Sequence, residues 1–305
     1  MVEHRRGVIN AVIAYSMWGI YPLYWRLLSQ IGPTEILVNR MLWSFITLGL
    51  GLIVLKWFKP LQTVVGELFI NKKKLVALFA VASLLGLNWF IFTYAVTSER
   101  IIDASLGYYI NPIFNIIIGI LFLKEKLNKY QVVSVVLVVI GVMLLTISHG
   151  SLPWISLALA VTFGLYGVIK KILNIDAFIG LFLETLLMLP VSSFLFLSWL
   201  NAGTSTFSQS NMMLILLLIG AGFITISPLY FFSKATSLLP LKTLGFLQYI
   251  GPTIQLIVAI TITNETFDRS HFISFSFIWV ACVIFSMSHL FRHSQSDTKK
   301  RRNRK

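Results

Sequence analysis

Long apolar segments separated by short polar or charged stretches dominate the sequence. Each segment has about 20 residues, which is the length that an α-helix needs to cross the hydrocarbon core of a bilayer. No segment shows the alternation of a β-strand, and a helix satisfies its own backbone hydrogen bonds in lipid. The pattern predicts ten transmembrane helices, at residues 7–28, 35–55, 75–97, 103–123, 129–147, 152–169, 177–199, 211–232, 240–262 and 271–291.

Nine helices are the main alternative count. Only three residues, 98–100, separate the third segment from the fourth, and the sixth segment is short. A basic cluster, His4-Arg5-Arg6, precedes the first segment as it does in a signal peptide. Bulky residues continue through Trp18 and Tyr21 without a small-residue cleavage site, so we interpret this segment as an uncleaved span.

Composition supports an all-α, polytopic membrane protein. Of the 305 residues, 57% are hydrophobic and 12% are charged, whereas soluble domains carry about 25% charged residues. A soluble chain of this size could not bury so much apolar surface in one core. The single cysteine, Cys282, cannot form an internal disulfide.

Basic residues predict the orientation. With the N-terminus inside, 21 of the 25 lysines and arginines fall at the cytoplasmic face and three fall outside, at Arg26, Arg100 and Arg269. Both termini are therefore expected in the cytoplasm, which requires an even number of spans. The net charge of +14 raises the possibility of nucleic acid as a partner, but its distribution favours anionic lipid at the basic loops and tail instead.

An internal repeat with an offset of 140 residues relates the two halves. Tyr109-Ile110-Asn111-Pro112 recurs as Tyr249-Ile250-Gly251-Pro252, and Glu125 recurs as Glu265. The matched segments are the fourth and ninth spans, which are five spans apart. Because successive spans cross the membrane in opposite directions, an odd separation predicts that the second half is inverted. We expect repeats at 1–149 and 150–293 and a basic tail at 294–305. Inverted repeats are typical of secondary transporters, and a duplicated membrane scaffold is the alternative.

Several motifs resemble those of RarD-type permeases in the EamA branch of the drug/metabolite transporter superfamily. The resemblance covers nearly the whole chain. It rests on Trp18-Gly19-Ile20, Glu35-Ile36-Leu37 with Arg40 and Trp43-Ser44, Asn88-Trp89, the stretch Ala104 to Pro112, the stretch Gly245 to Thr253, and Phe277 to Ala281. It implies a bacterial inner-membrane permease made of two five-helix halves, with a central cavity walled by spans one, three, four, six, eight and nine.

Polar and aromatic residues within these spans are the candidates for substrate binding. A neutral polar and aromatic lining suits an amphiphilic or zwitterionic solute. Arg40 is the only basic residue deep within a span, where a charge marks either a functional site or a structural pair. Tyr24 and Trp25, at a span end, are expected in the interfacial belt. The predicted substrate-binding residues are Trp18, Tyr21, Arg40, Asn88, Trp89, Tyr108, Asn111, Gln248 and Tyr249.

Glu184 is the candidate for coupling transport to protons. It is the only acid deep within a predicted span, and a neutral acid that joins two helices is the alternative role. Glu184 follows Arg40 by 144 residues, close to the repeat offset. Inversion would place the two side chains near opposite faces, so no salt bridge between them is expected.

Other functional classes find little support in the sequence. The histidines lie at span ends or tails, so no metal cluster and no nucleophile–base pair is expected. A glycine-rich phosphate loop is also missing, which argues against ATP as the energy source. We predict a secondary active or facilitative transporter without metal or cofactor, and not an enzyme. A lipid or precursor flippase and a non-transporting scaffold or enzyme remain alternatives.

Overall fold

The computed structural model describes residues 2–97, 101–148, 154–208, 211–262 and 272–287. Within these ranges the regular structure is helical, apart from turns. One 3-10 turn lies at Thr206–Ser208. The helices are α1 (Val2–Ile20), α2 (Pro22–Leu27), α3 (Pro33–Leu55), α4 (Phe58–Ile70), α5 (Lys72–Thr97), α6 (Ile101–Leu123), α7 (Lys129–Ser148), α8 (Trp154–Leu173), α9 (Ala177–Asn201), α10 (Met212–Leu238), α11 (Leu241–Gln248), α12 (Ile250–Ile262) and α13 (Phe272–Met287).

The helices confirm an all-α membrane protein with several spans. In the described ranges, α3, α5, α8, α9 and α10 are each long and apolar enough to cross a bilayer, and α6, α7 and α13 contain shorter apolar stretches. The predicted first and ninth spans are each divided, at Tyr21 and at Tyr249. The total of ten remains a prediction, and Glu265, the loop 98–100 and the tail 294–305 lie outside the described residues.

Helix α4 was not predicted, because a search for spans overlooks short helices. Its 13 residues are about 20 Å long at 1.5 Å per residue, which is too short to cross a membrane. Leu68 is buried against the rest of the protein, whereas Phe69 and Ile70 are exposed. The sequence interpretation had treated this stretch as part of a basic loop.

Packing joins helices that are distant in the sequence. Helix α1 packs against α10 and α12, α8 packs against α5 and α6, and α3 packs against α9 and α10. Gly222 allows α10 to lie directly on α3, because a Cβ at this position would be 2.3 Å from the carbonyl carbon of Trp43. Small residues of this kind let helix backbones approach closely within a membrane.

The two proline motifs have different backbone structures. Helix α6 continues through Pro112, whereas its counterpart is divided at Tyr249, three residues before Pro252. The Tyr249 hydroxyl donates to the Tyr109 carbonyl at 3.1 Å, which joins the two motifs to each other. The repeat in the sequence therefore marks a contact between helices.

We call one end of the bundle the basic end, because it holds residues 56–74, 124–128, 170–176 and 234–242. The other end is the opposite end. Contacts link these segments: Glu125 accepts from the backbone N–H groups of Leu241 and Lys242, and Lys171 donates to the Thr236 carbonyl. The segment 56–74 contacts the start of α9, where Trp57 packs edge-on against Phe178. Helices α6, α8, α10 and α11 thus meet at the basic end.

Candidate functional site

An arginine cluster lies towards the opposite end. Arg40 Nε donates to Thr225 Oγ1 at 3.0 Å, which links α3 to α10. Its Cζ atom lies over two indole rings, 4.8 Å from the centroid of Trp25 and 5.0 Å from that of Trp89. Tyr108 of α6 packs edge-on against Phe92 of α5, with ring centroids 6.3 Å apart. The cluster therefore unites two predicted site residues, Arg40 and Trp89.

Two members of this arginine cluster were not predicted. Trp25 was expected in the interfacial belt, but it lies over the guanidinium instead. Thr225 was not predicted because the apolar segments contain many hydroxyl residues, and nothing in the sequence distinguishes this one. A cation within a span requires polar or aromatic neighbours, and this requirement was the available clue to both.

A group of buried amides lies near the middle of the bundle. Asn115 Nδ2 donates to Gln248 Oε1 at 2.6 Å, which joins α6 to α11. Asn111, one turn earlier on α6, is 7% exposed. Its Oδ1 atom and that of Asn115 are buried without a hydrogen-bond partner in the described part of the chain, as is the Tyr15 hydroxyl. Buried polar atoms normally have such partners, so this region has unused hydrogen-bonding capacity.

Four other predicted residues contact neighbouring helices. Asn88 Nδ2 donates to Leu159 O and Thr162 Oγ1, at 3.0 and 2.8 Å, and so ties α5 to α8. Tyr21 and Ser227 share a hydrogen bond of 2.8 Å. The remaining two are Tyr249, which is almost fully buried against α6, and Trp18, which packs with Tyr15, Phe163 and Phe232.

Glu184 forms an ion pair near the basic end. Lys170 Nζ lies 2.6 Å from Glu184 Oε1, and the two side chains are 8% and 1% exposed. Tyr166 completes the group, because it accepts from Lys170 at 2.9 Å and donates to Glu184 at 3.2 Å. The predicted sixth span, 152–169, left Lys170 outside the membrane segment, and this is wrong: the helix continues to Leu173, and the long Lys170 side chain lies within the bundle. Arg40 and Glu184 have separate partners, as expected.

An open recess of about 430 Å³ also lies at the basic end. Glu125, Lys171 and Lys242 border it. The Glu125 carboxylate accepts two backbone N–H groups at the start of α11, at 2.7 and 3.0 Å, and Lys242 Nζ donates to the Lys126 carbonyl. These charged groups already join helix ends to each other, so we assign them a structural role.

The fold is that of a helical membrane protein with polar residues within its spans, and the comparisons with known proteins identify the class as membrane transporters. The chain is similar to an uncharacterised transporter of Vibrio cholerae serotype O1, with 42% identity over 289 residues and 94% of both chains covered. It is similar to protein RarD of Escherichia coli K12, with 38% identity over 97% of this chain and 98% of that protein.

The EamA-like transporter family matches residues 5–147. A crystal structure with 15% identity shares the fold, with a TM-score of 0.67 over 92% of this chain and 96% of the other. This protein belongs to the EamA-like transporter family and is a RarD-type permease.

Proposed function

We propose that this permease moves a small organic solute or drug-like metabolite by alternating access through a central cavity between two inverted halves. The observation that carries the proposal is the arginine cluster. Its side chains come from α2, α3 and α5 in the first half and from α10 in the second. A site built from both halves changes when the halves move relative to each other, as alternating access requires.

The helix packing supports the division into repeats 1–149 and 150–293. Under the repeat, α1 corresponds to α8 and α5 corresponds to α10. Helix α1 packs against α10, and α8 packs against α5, so the same contact occurs twice with the halves exchanged. Helix α3 packs against its own counterpart α9, and α6 against α11. The family match at residues 5–147 coincides with the first proposed repeat.

The remaining predicted site residues fit different roles in this proposal. Asn111 offers an unpartnered buried oxygen near the midplane, so it is a candidate for solute binding. Gln248 borders the same region through Asn115. Asn88, Trp18, Tyr21 and Tyr249 would shape the cavity through contacts between helices. Arg40, Trp89 and Tyr108 would contact the solute.

Glu184 remains the proposed coupling residue, acting through its ion pair. A proton on the Glu184 carboxylate would neutralise it and remove the attraction to Lys170. The Lys170 ammonium and the Tyr166 hydroxyl both join α8 to α9 through the Glu184 carboxylate. Proton binding would thereby loosen two helices at the basic end. This proposal includes an inner-membrane location with both termini in the cytoplasm, which the 21-to-3 distribution of basic residues supports.

The test of transport compares solutes inside and outside cells that lack or overproduce the protein. We expect one solute class to accumulate on one side and to shift to the other side on overproduction. The same solute should then cross liposomes that contain the purified full-length protein, and not protein-free liposomes. If no solute changes distribution in cells or liposomes, the proposal of transport is wrong.

The test of coupling uses Glu184→Gln in these liposomes. This substitution keeps the shape of the side chain and removes its titration. We expect solute binding to persist and the response of transport to an imposed pH gradient to disappear. Glu67→Gln is the matched control, because Glu67 forms an exposed ion pair with Lys74. An unchanged response in Glu184→Gln would contradict proton coupling through this residue.

A further inference from the structure

Arg40 has a positive charge without a negative partner among the residues that the structure describes. Among the described residues, its only hydrogen bond runs from Nε to Thr225, and no carboxylate lies within ion-pair distance. Glu35, on the same helix, is already engaged, because its carboxylate accepts from Ser205 Oγ and from the backbone and hydroxyl of Thr206. Glu184 is engaged by Lys170. No carboxylate of the described residues therefore balances Arg40.

The neighbours of Arg40 leave its hydrogen-bond donors available. The indole rings of Trp25 and Trp89 interact with the π-system of the guanidinium and accept no conventional hydrogen bond. The two Nη groups have no acceptor in the described ranges, and they are not sealed from solvent. A guanidinium presents these donors as a planar fork, which matches the two oxygens of a carboxylate.

The available donors of Arg40 are accessible to solvent. Arg40 is partly exposed, and Tyr108 is 40% exposed. Side chains of α2, α5 and α10 contact the guanidinium, which itself belongs to α3. The exposed part of the guanidinium therefore lies among four helices, where a solute would meet side chains of both proposed halves.

We propose that the transported solute is an organic anion with a single carboxylate on an apolar or aromatic body. Arg40 binds the carboxylate, and Trp25, Trp89 and Tyr108 contact the body. A single guanidinium, which no second basic side chain of the described residues contacts, matches one negative charge. This inference rests on the proposed transport function and specifies the class of solute.

The test measures binding of three probes that share a phenylpropyl body and differ in charge. The probes are 3-phenylpropionate, 3-phenylpropanamide and 3-phenylpropylamine, and the signal is the tryptophan fluorescence of the purified full-length protein. We expect the carboxylate to bind about 10- to 100-fold more tightly than the amide, because its hydrogen bonds to Arg40 are charge-assisted. The amine should bind most weakly.

Variants assign the preference to Arg40. Arg40→Gln should abolish the difference between carboxylate and amide, whereas Arg40→Lys should retain part of it, because it keeps the charge and loses the fork. Arg26→Gln is the matched control, since it removes an exposed arginine near the same end. Size-exclusion profiles of all variants show whether they are folded. If Arg40→Gln does not fold, the comparison of carboxylate and amide binding is made with Arg40→Lys.

Three outcomes would overturn the inference: the amide or amine binds as tightly as the carboxylate, no probe binds, or the preference survives in Arg40→Gln. Failure of the proposed transport function can be distinguished from failure of this inference. If wild-type liposomes move a neutral or cationic solute, transport stands and the carboxylate assignment is wrong. If no solute moves in liposomes or in cells, transport itself is wrong.

Discussion

The buried ion pair between Lys170 and Glu184 gives a quantitative prediction about stability. Lys170→Met leaves the Glu184 carboxylate 1% exposed, with only the Tyr166 hydroxyl as a donor among its described contacts. Removing one partner of a buried ion pair costs about 3–5 kcal/mol. Glu184→Leu, which leaves the lysine unpaired, should cost a similar amount. The double variant should cost far less than the sum of the two.

The expected magnitude follows from the geometry. At 2.6 Å and an effective dielectric constant of about 20, the attraction between the charges is about 6 kcal/mol. Removing each ion from water costs several kcal/mol, so attraction and desolvation nearly cancel for the intact pair. The loss in a single variant therefore arises from the charge that is left behind. The double variant replaces both residues with apolar ones of similar size, so it removes the attraction between the charges and the cost of their desolvation together.

The assay is a double-mutant cycle on the free energy of unfolding in one defined detergent. Lys74→Met is the control, because Lys74 and Glu67 form a pair of 2.8 Å whose side chains are 40% and 55% exposed. Exposed pairs contribute about 0–1 kcal/mol. If Lys170→Met costs no more than Lys74→Met, the electrostatic reasoning is refuted. The same result would weaken the proposed link between Glu184 protonation and helix separation.

Three further predictions concern packing, capping and orientation. Gly222→Ala should destabilise the protein by about 1–3 kcal/mol through contact with the α3 backbone, whereas Gly66→Ala, in open space within α4, should stabilise it by about 0.5–1 kcal/mol in the same unfolding assay. Glu125→Gln should cost about 1–2 kcal/mol, because it weakens charge-assisted bonds to Leu241 and Lys242, and faster amide exchange at the start of α11 would report it. A reporter at the C-terminus should be active only in the cytoplasm; activity outside would contradict the orientation.

Hydrophobic patterning predicted the membrane class and the five long apolar helices, because span length is a property of the bilayer. It could not predict how each helix is rotated about its axis. Asn88 illustrates this limit: its place in the sequence suggests a cavity, but helix packing directs its amide to Leu159 and Thr162. Hydrogen bonds between helices depend on how the whole bundle packs, so they cannot be predicted from the sequence of one segment.

Side-chain length explains the error at Lys170. Hydropathy falls at the two lysines that follow residue 169, so the predicted span ended before them. A lysine at a helix end commonly extends towards water. Lys170 extends into the bundle, because Glu184 on α9 provides a compensating charge, whereas Lys171 reaches the carbonyl of Thr236. Glu184 within α9 was the available clue to the position of Lys170, since a buried charge requires a partner.

The repeat relates α3 to α9, and the charged residues of these two helices have different surroundings. Glu184 of α9 has a lysine from the same half, so the cost of its burial is offset within the protein. Arg40, at nearly the corresponding position of α3, has two indoles and a hydroxyl but no anion among the described residues. A neutral solute would leave that charge unpaired and would add the cost of displacing water from it. An anionic solute would supply the missing charge, so the asymmetry between the halves itself favours a carboxylate over a neutral or cationic substrate.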